Sequence, residues 1–178
     1  MIYYDISVNA NYGVIKDAYL DGSENFYKVH FKNDGFIALK NGDSPVSEKF
    51  CVGSEMEFHT PSEHTLDGKH YDLEVEILHE GARVSIFFDV EKGGNEANPF
   101  IEALNLDKAS NQSQPLNLPL NELISKAGQG SITIYDGSIP YPDCDENVKW
   151  FIFENPQPIS KHQLSLLQDR FKGNYRNT

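Results

Sequence analysis

Lys49–Glu80 reads KFCVGSEMEFHTPSEHTLDGKHYDLEVEILHE. Two runs of strict alternation flank a polar turn, and side chains along a strand point to opposite faces with a period of two. In the first run Glu55, Glu57 and His59 share one face, and Met56 and Phe58 the other. In the second run Glu74, Glu76 and Leu78 share one face, and Leu73, Val75, Ile77 and His79 the other. With the polar faces on the same side of neighbouring strands, four carboxylates and an imidazole meet in a small area. Two unit charges about 4 Å apart repel by about 4 kcal/mol at an effective dielectric of about 20. Raised carboxylate pKa values, a bound cation, or a Lys or Arg from this chain or a partner would each relieve that repulsion, and water in an open cleft would weaken it. The sequence leaves all of these open.

Outward from this stretch the chain is rich in strands. Phe26–Phe31 alternates, and Lys32-Asn33-Asp34-Gly35 predicts a hairpin turn into a return strand at Phe36–Leu39, because Asp-Gly supplies the positive φ of a tight turn. Arg83–Val90 is apolar enough for a central strand, and Ser131–Tyr135 and Lys149–Phe153 predict two more. Asn98-Pro99 opens a short helix through Leu104, with proline at a tolerated first-turn position, and Leu120–Ile124 predicts a helical turn. Ser160 followed by Gln163 has capping-box form, and the helix it opens carries Leu164, Leu167 and Phe171 on one stripe. Residues 1–25 mix short apolar runs with Asn, Gly and Asp and form a segment of uncertain structure; residues 26–178 form the domain proper. Many strands with few short helices predict a mainly β (α+β) single domain.

The 178 residues suffice for one domain with a sizeable core. The chain carries 27 acidic and 15 basic residues, a net charge of -12. That balance argues against nucleic acid and anionic membrane as partners, both of which need basic patches; it suits a basic partner, although solubility alone accounts for it. No apolar run approaches the ~20 residues of a membrane span, and Met1–Ile6 has neither the basic region nor the apolar core of a signal peptide. The expectation is an intracellular or organellar protein without direct membrane insertion. Cys51 and Cys144 are expected to be free, buried thiols.

Phe58-His59-Thr60-Pro61-Ser62-Glu63-His64, followed by Asp67-Gly68-Lys69 and the strand of Glu74, resembles the core signature of the α-class carbonic anhydrases. The likeness continues through Val84–Leu104, Asp136-Gly137-Ser138, Cys144, Val148-Lys149-Trp150, Pro156–Leu167 and Asn174-Tyr175-Arg176. It implies a twisted, mostly antiparallel central sheet with a few short peripheral helices, shortened at both termini. It also implies a zinc held by three histidines, two on the first strand and one on the second. Carried over, those positions are Glu57, His59 and Glu76, and a single histidine remains.

Carboxylates in place of neutral imidazoles cancel the metal charge, lower its Lewis acidity and raise the pKa of a bound water. Other positions matched to the family depart as well. Glu55 stands where the resemblance expects Gln, Pro140 where it expects the threonine that bonds the zinc hydroxide, and Tyr141 where the next threonine would leave room for substrate. The proton-shuttle histidine falls at or near Asn25, and asparagine carries no proton at neutral pH. Glu63 and Glu74 match the orienting carboxylates.

The resemblance therefore implies a vestigial site of Glu55, Glu57, His59, Glu63, Glu74, Glu76, Pro140 and Tyr141, with no catalytic residues, no zinc and no other cofactor expected. Any metal would sit on Glu57, His59 and Glu76. The function expected is that of a structural or protein-interaction subunit in a larger assembly with other protein subunits. The alternatives are weak metal-dependent carbon dioxide hydration or hydrolysis, and an ion- or small-molecule-binding module using the old cleft. His64 and His79 are expected to be hydrogen-bonded structural residues and Trp150 a core residue. Ser62-Glu63-His64, being sequential in a turn, is not expected to form a nucleophilic triad, and Asp143, Asp145 and Glu146 are expected to form a solvated acidic loop.

Overall fold

A computed structural model of the chain describes residues 6–13, 15–23, 26–32, 34–41, 47–107, 116–139, 147–171 and 173. Its elements in chain order are β1 (Ile6–Asn11), β2 (Ile15–Ser23), β3 (Phe26–His30), β4 (Phe36–Asn41), β5 (Ser47–His59), β6 (Thr65–Leu66), β7 (Lys69–His70), β8 (Leu73–His79), β9 (Ala82–Asp89), α1 (Val90–Gly93), α2 (Pro99–Glu102), β10 (Leu116–Leu118), α3 (Leu120–Ala127), β11 (Ile132–Gly137), β12 (Val148–Pro158) and α4 (Lys161–Gln168). Ten of the described strands form one sheet in the order β10-β2-β3-β5-β8-β9-β12-β11, with β4 also on β5 and β1 on β4. All pairings are antiparallel except β9 with β12. The small β6–β7 ladder lies in the connection between β5 and β8. Among the described residues no helix is long and apolar enough to cross a membrane.

The expected hairpin at Lys32–Gly35 does not form. β3 and β4 do not pair with each other; both pair antiparallel with β5, which is 13 residues long. β4 takes its N-terminal half (Phe36 opposite Cys51) and β3 its C-terminal half (Tyr27 opposite Phe58). The two short strands therefore run in the same direction, end to end along one edge of β5. The Val52 amide donates to the Gly35 carbonyl (2.9 Å), latching the connection to β5 instead of letting it reverse. Alternation alone cannot tell these two arrangements apart, because both bury the same faces. The stretch before residue 26 also joins the sheet: β2 pairs with β3, and β1 with β4.

Alternation divides the sheet into two faces with different chemistry. On one face the row Tyr27–Phe58–Val75–Ile86–Phe153 runs straight across β3, β5, β8, β9 and β12, and Val29–Met56–Ile77–Val84–Phe151 lies beside it. These residues belong to the main core, with Leu120, Leu123 and Ile124 of α3, Leu167 of α4, and Phe171. Burial of a Val, Leu, Ile or Phe side chain stabilises by about 1.5–3 kcal/mol, so this face holds the fold together. The opposite face carries the row Lys28–Glu57–Glu76–Ser85. A smaller apolar cluster of Phe87, Val148, Trp150 and Ile152 adjoins it.

The helix ends follow their sequence signals. Ser160 accepts from the Gln163 amide in a complete capping box, and Asn98 caps α2. Gln163 also joins the two helices, its Oε1 accepting from the Asn98 amide (2.8 Å) and its Nε2 donating to the Asn98 carbonyl (3.0 Å). α3 runs to Ala127, beyond the predicted turn at Leu120–Ile124. Cys51 is free but exposed, against the expectation of a buried thiol, because β5 turns that face outward at its N-terminal end. Cys144 lies outside the described residues, as do Asp143, Asp145, Glu146 and Asn174-Tyr175-Arg176.

Candidate functional site

The polar face converges on three side chains. Glu57 and Glu76 stand directly opposite each other on β5 and β8, and His59 stands opposite Glu74. One ligand atom each from Glu57, His59 and Glu76 lies within 4.8 Å of the others. Glu57, Glu74, Glu76 and Glu63 are all buried, with Glu74 and Glu76 at 0% and 1% exposure. Like charges directly opposite on neighbouring strands destabilise a sheet, and burial deepens the cost.

Two basic side chains absorb that charge. Lys28, the direct β3 partner of Glu57, places Nζ 2.6 Å from Glu57 Oε1 and donates to Glu55 Oε2 at 3.2 Å. Arg83, buried at the start of β9, donates from Nη1 to Glu57 Oε2 (3.3 Å) and to Glu76 Oε2 (3.2 Å). Its guanidinium carbon lies 5.9 Å from the ring centre of Trp150, the residue opposite it on β12. Burial acts to raise the Glu57 pKa, but the Lys28 hydrogen bond and the charges of Arg83 and Lys28 prevail and hold it below the usual carboxylate value. Glu76 goes the other way: burial first, then the charge of Glu74, push it well above that value despite Arg83.

Glu74 serves a separate network. Its Oε2 accepts from the amides of Glu63 (2.8 Å) and His64 (3.0 Å), and its Oε1 accepts from His64 Nδ1 (2.6 Å) and the Ser85 hydroxyl. With Nδ1–H committed to Glu74, His64 Nε2 accepts the Tyr135 hydroxyl (2.8 Å). Burial acts to raise the Glu74 pKa, and the His64 and Ser85 hydrogen bonds outweigh it and lower the pKa. The His64 ring packs edge-on to Trp150 (4.7 Å), and Tyr135 stacks on the same indole (6.2 Å). His64 is therefore structural, as is His79, which is buried between the Ile77 carbonyl (Nδ1, 3.0 Å) and the Tyr12 hydroxyl (Nε2, 2.9 Å).

His59 is handled differently from the other members. Its Nδ1 lies 3.4 Å from Glu63 Oε1 and its Nε2 3.8 Å from Glu76 Oε1, yet neither ring nitrogen makes a hydrogen bond. Glu76 Oε1 likewise has no hydrogen-bond partner. His59 Nε2 and Glu76 Oε1, both buried and unbonded, thus lie 3.8 Å apart, slightly too far for a direct bond, while Nδ1 lies against Glu63 Oε1.

The structure brings Glu57, His59, Glu63, Glu74 and Glu76 together. Glu55 sits one row out, paired opposite His30 and bonded by Lys28. Pro140, Tyr141 and Asn25 lie outside the described residues. Sequence reasoning did not single out Lys28 and Arg83. Alternation puts Lys28 opposite in face to Tyr27 and Val29, and puts Arg83 with Ser85 and Phe87, so the signal was present once the strand register was known.

Residues 26–178 match the family model of the eukaryotic-type carbonic anhydrases. The chain belongs to that family. It is 30% identical over 150 residues to carbonic anhydrase 4 of Rattus norvegicus, covering 72% of this chain and 48% of that one. It is 28% identical over 178 residues to dioscorin DB3S of Dioscorea polystachya, covering 94% of this chain and 62% of that one. The chain therefore spans between 48% and 62% of the length of these curated relatives. Among solved structures, the α-carbonic anhydrase of Photobacterium profundum superposes with a TM-score of 0.73 at 26% identity, over 96% of this chain and 76% of that one. A dioscorin complexed with ascorbate gives 0.72 at 26% identity, over 96% and 72% of the two chains.

The family implies a zinc at Glu57, His59 and Glu76, and the residues present are a poor fit for a catalytic one. The donor set is one imidazole and two carboxylates, where a catalytic site needs the metal to keep its charge and polarise a water. Both oxygens of Glu57 already face a cation, Lys28 on one and Arg83 on the other. A dication there would lie beside a guanidinium that is itself held by Glu57 and Glu76.

Proposed function

We propose that this chain is a carbonic-anhydrase-like domain that does not hydrate carbon dioxide and acts as a structural or protein-interaction subunit of a larger assembly. The observation that carries this reading is the double engagement of Arg83 Nη1 with Glu57 and Glu76, at 3.3 and 3.2 Å. The counter-charge to those carboxylates is a side chain of the same fold, so the pair is balanced without calling on a metal. The interaction half of the reading draws support from the sheet edge. Among the described strands β11 pairs with β12 alone, leaving the outer edge of Ile132–Gly137 as a place for an added strand, and the charge of -12 favours a basic partner. Stopped-flow hydration of carbon dioxide by the purified chain, with metal content measured on the same sample, tests the first half. The rate expected is that of buffer, without stoichiometric zinc. Catalysis that disappears in His59→Ala would overturn the reading. Pull-down followed by light scattering tests the second half: a stable monomer that captures nothing would remove the subunit role.

A ligand-binding module is the second reading. A solved dioscorin of 26% identity is a complex with ascorbate, and here His59 and Glu76 direct unbonded polar atoms toward one another. Ascorbate at millimolar concentration, added in a thermal-shift experiment, is the direct check. A rise in Tm that His59→Ala abolishes would favour this module over the interaction subunit.

A further inference from the structure

A buried carboxylate pair in a folded protein needs a positive charge, and the polar face supplies one in an unusual place. Arg83 is 4% exposed, and its Nη1 sits between Glu57 Oε2 and Glu76 Oε2, the residues that oppose each other across β5 and β8. A single nitrogen at 3.2–3.3 Å from two carboxylates stands where a shared cation would stand. The other carboxylate oxygen of Glu76, Oε1, lies 3.8 Å from His59 Nε2, and both atoms are buried and make no hydrogen bond. Unbonded imidazole nitrogen next to unbonded carboxylate oxygen is costly in a protein interior, and both are good ligands for a first-row divalent metal.

We propose that Arg83 is a built-in counter-cation that keeps a latent metal site closed, and that removing its guanidinium lets Glu57, His59 and Glu76 take up one divalent ion. This rests on the reading of the present site as a metal-free ion network. Lys28 remains on the outer oxygen of Glu57 in either state, so one carboxylate oxygen of Glu57, one of Glu76 and a nitrogen of His59 form the ligand set. In this reading the Arg83 guanidinium acts by its charge and by occupying the space between the two carboxylates; methionine has similar length and no charge.

The test is equilibrium dialysis of the full chain against zinc chloride, with metal measured by mass spectrometry and Tm followed in parallel. The parent chain is expected to take up no stoichiometric zinc and to show no change in Tm. Arg83→Met is expected to bind one equivalent and gain several degrees in Tm with zinc, and Arg83→Met/His59→Ala to lose both effects. A folded Arg83→Met that binds no zinc, while the parent is also metal-free and inactive in hydration, overturns this inference and leaves the proposed function intact. A parent chain that binds one zinc through His59 and hydrates carbon dioxide overturns the proposed function, and with it the closed site. Should Arg83→Met not fold without metal, refolding in zinc is the measurement, together with Arg83→Met/Glu57→His, which carries less buried negative charge. Zinc-dependent recovery of Arg83→Met supports the inference, and recovery of the Glu57→His variant alone, or of neither, overturns it.

Discussion

Lys28 and Glu57 face each other as directly paired residues on β3 and β5, with Nζ 2.6 Å from Oε1. The carboxylate is buried, whereas the lysine side chain keeps 25% of its exposure. Removing one partner of a buried pair costs about 3–5 kcal/mol, and the partial solvation of Lys28 reduces this. Lys28→Met is expected to cost about 1–2 kcal/mol in denaturant unfolding by the same principle. Lys28→Met/Glu57→Gln should cost less than the sum of its parts, and strict additivity in that double-mutant cycle would show that the two do not interact.

Glu76 gives the opposite dependence on pH. Burial and the neighbouring Glu74 raise its pKa in the folded state, so above the unfolded value of about 4.3 the native protein keeps a proton that the unfolded chain has released. Stability contributed by this residue is full below that value and falls as the pH rises through the window up to the folded pKa. Glu76→Gln, which mimics the protonated form and retains an oxygen for Arg83, should match the parent at pH 4 and exceed it at pH 8. Parallel stability–pH curves for the two proteins would contradict the assignment.

His79 titrates in the acid range. Burial lowers its pKa from 6.5 to about 4, against the pull of the Ile77 carbonyl on its ring N–H. The folded value lies below the unfolded one, so the contribution of neutral His79 is present above pH 6.5 and is lost as the pH falls toward 4. A shift of this size corresponds to about 3 kcal/mol between the ends of the window. The imidazole resonances of His79 in an NMR titration should hold their neutral positions through pH 6 and move near pH 4. Movement centred at 6.5 would refute burial as the controlling cause.

Gly93 closes α1 against the segment after β12. A Cβ at this position would press on the carbonyl oxygen of Ile159 and lie 2.7 Å from its amide nitrogen, both of them backbone atoms that cannot swing aside. Gly93→Ala should therefore cost about 3 kcal/mol, at the upper end for overpacking. A Tm unchanged from the parent would mean that the two segments separate more easily than their packing indicates.

Gln163 should matter more than the serine that it caps with. Ser160→Ala removes one cap and is expected to cost about 1 kcal/mol. Gln163→Ala removes the reciprocal cap together with both bonds to the Asn98 backbone, which ties α2 to α4. Losing those partners leaves buried backbone groups unpaired at about 1–3 kcal/mol each. The ranking of the two variants in thermal unfolding checks this directly.

Alternation in Lys49–Glu80 was enough to put Glu57 and Glu76 on the polar faces of their strands, and the surrounding motifs pointed to the family. Pairing partners were less legible, because a period of two fixes a face but not a register. Lys28 and Arg83 lay on the polar face by the same rule that placed Glu57, yet their contacts depend on how β3, β5, β8 and β9 are ordered and registered in the sheet. The Asp34-Gly35 signal misled for a related reason: turn chemistry is local, whereas the length of β5 allowed two strands to dock on one edge. β1 and β2 went unassigned because Asn, Gly and Asp interrupt their apolar pattern, and pairing with β4 and β3 overrides that weak propensity. The exposure of Cys51 likewise follows from β5 reaching past the covered part of the sheet.

The chain has one tryptophan, and it sits at the centre of these relationships. Trp150 is 2% exposed, stacked on Tyr135, 4.7 Å from the His64 ring and 5.9 Å from the Arg83 guanidinium. Its fluorescence therefore arises from a single known environment, with the blue-shifted maximum of a buried indole. A displaced guanidinium changes the field across the indole. The emission of the untouched protein thus reads out what happens at Glu57, Glu76 and Arg83, with no label and no engineered probe.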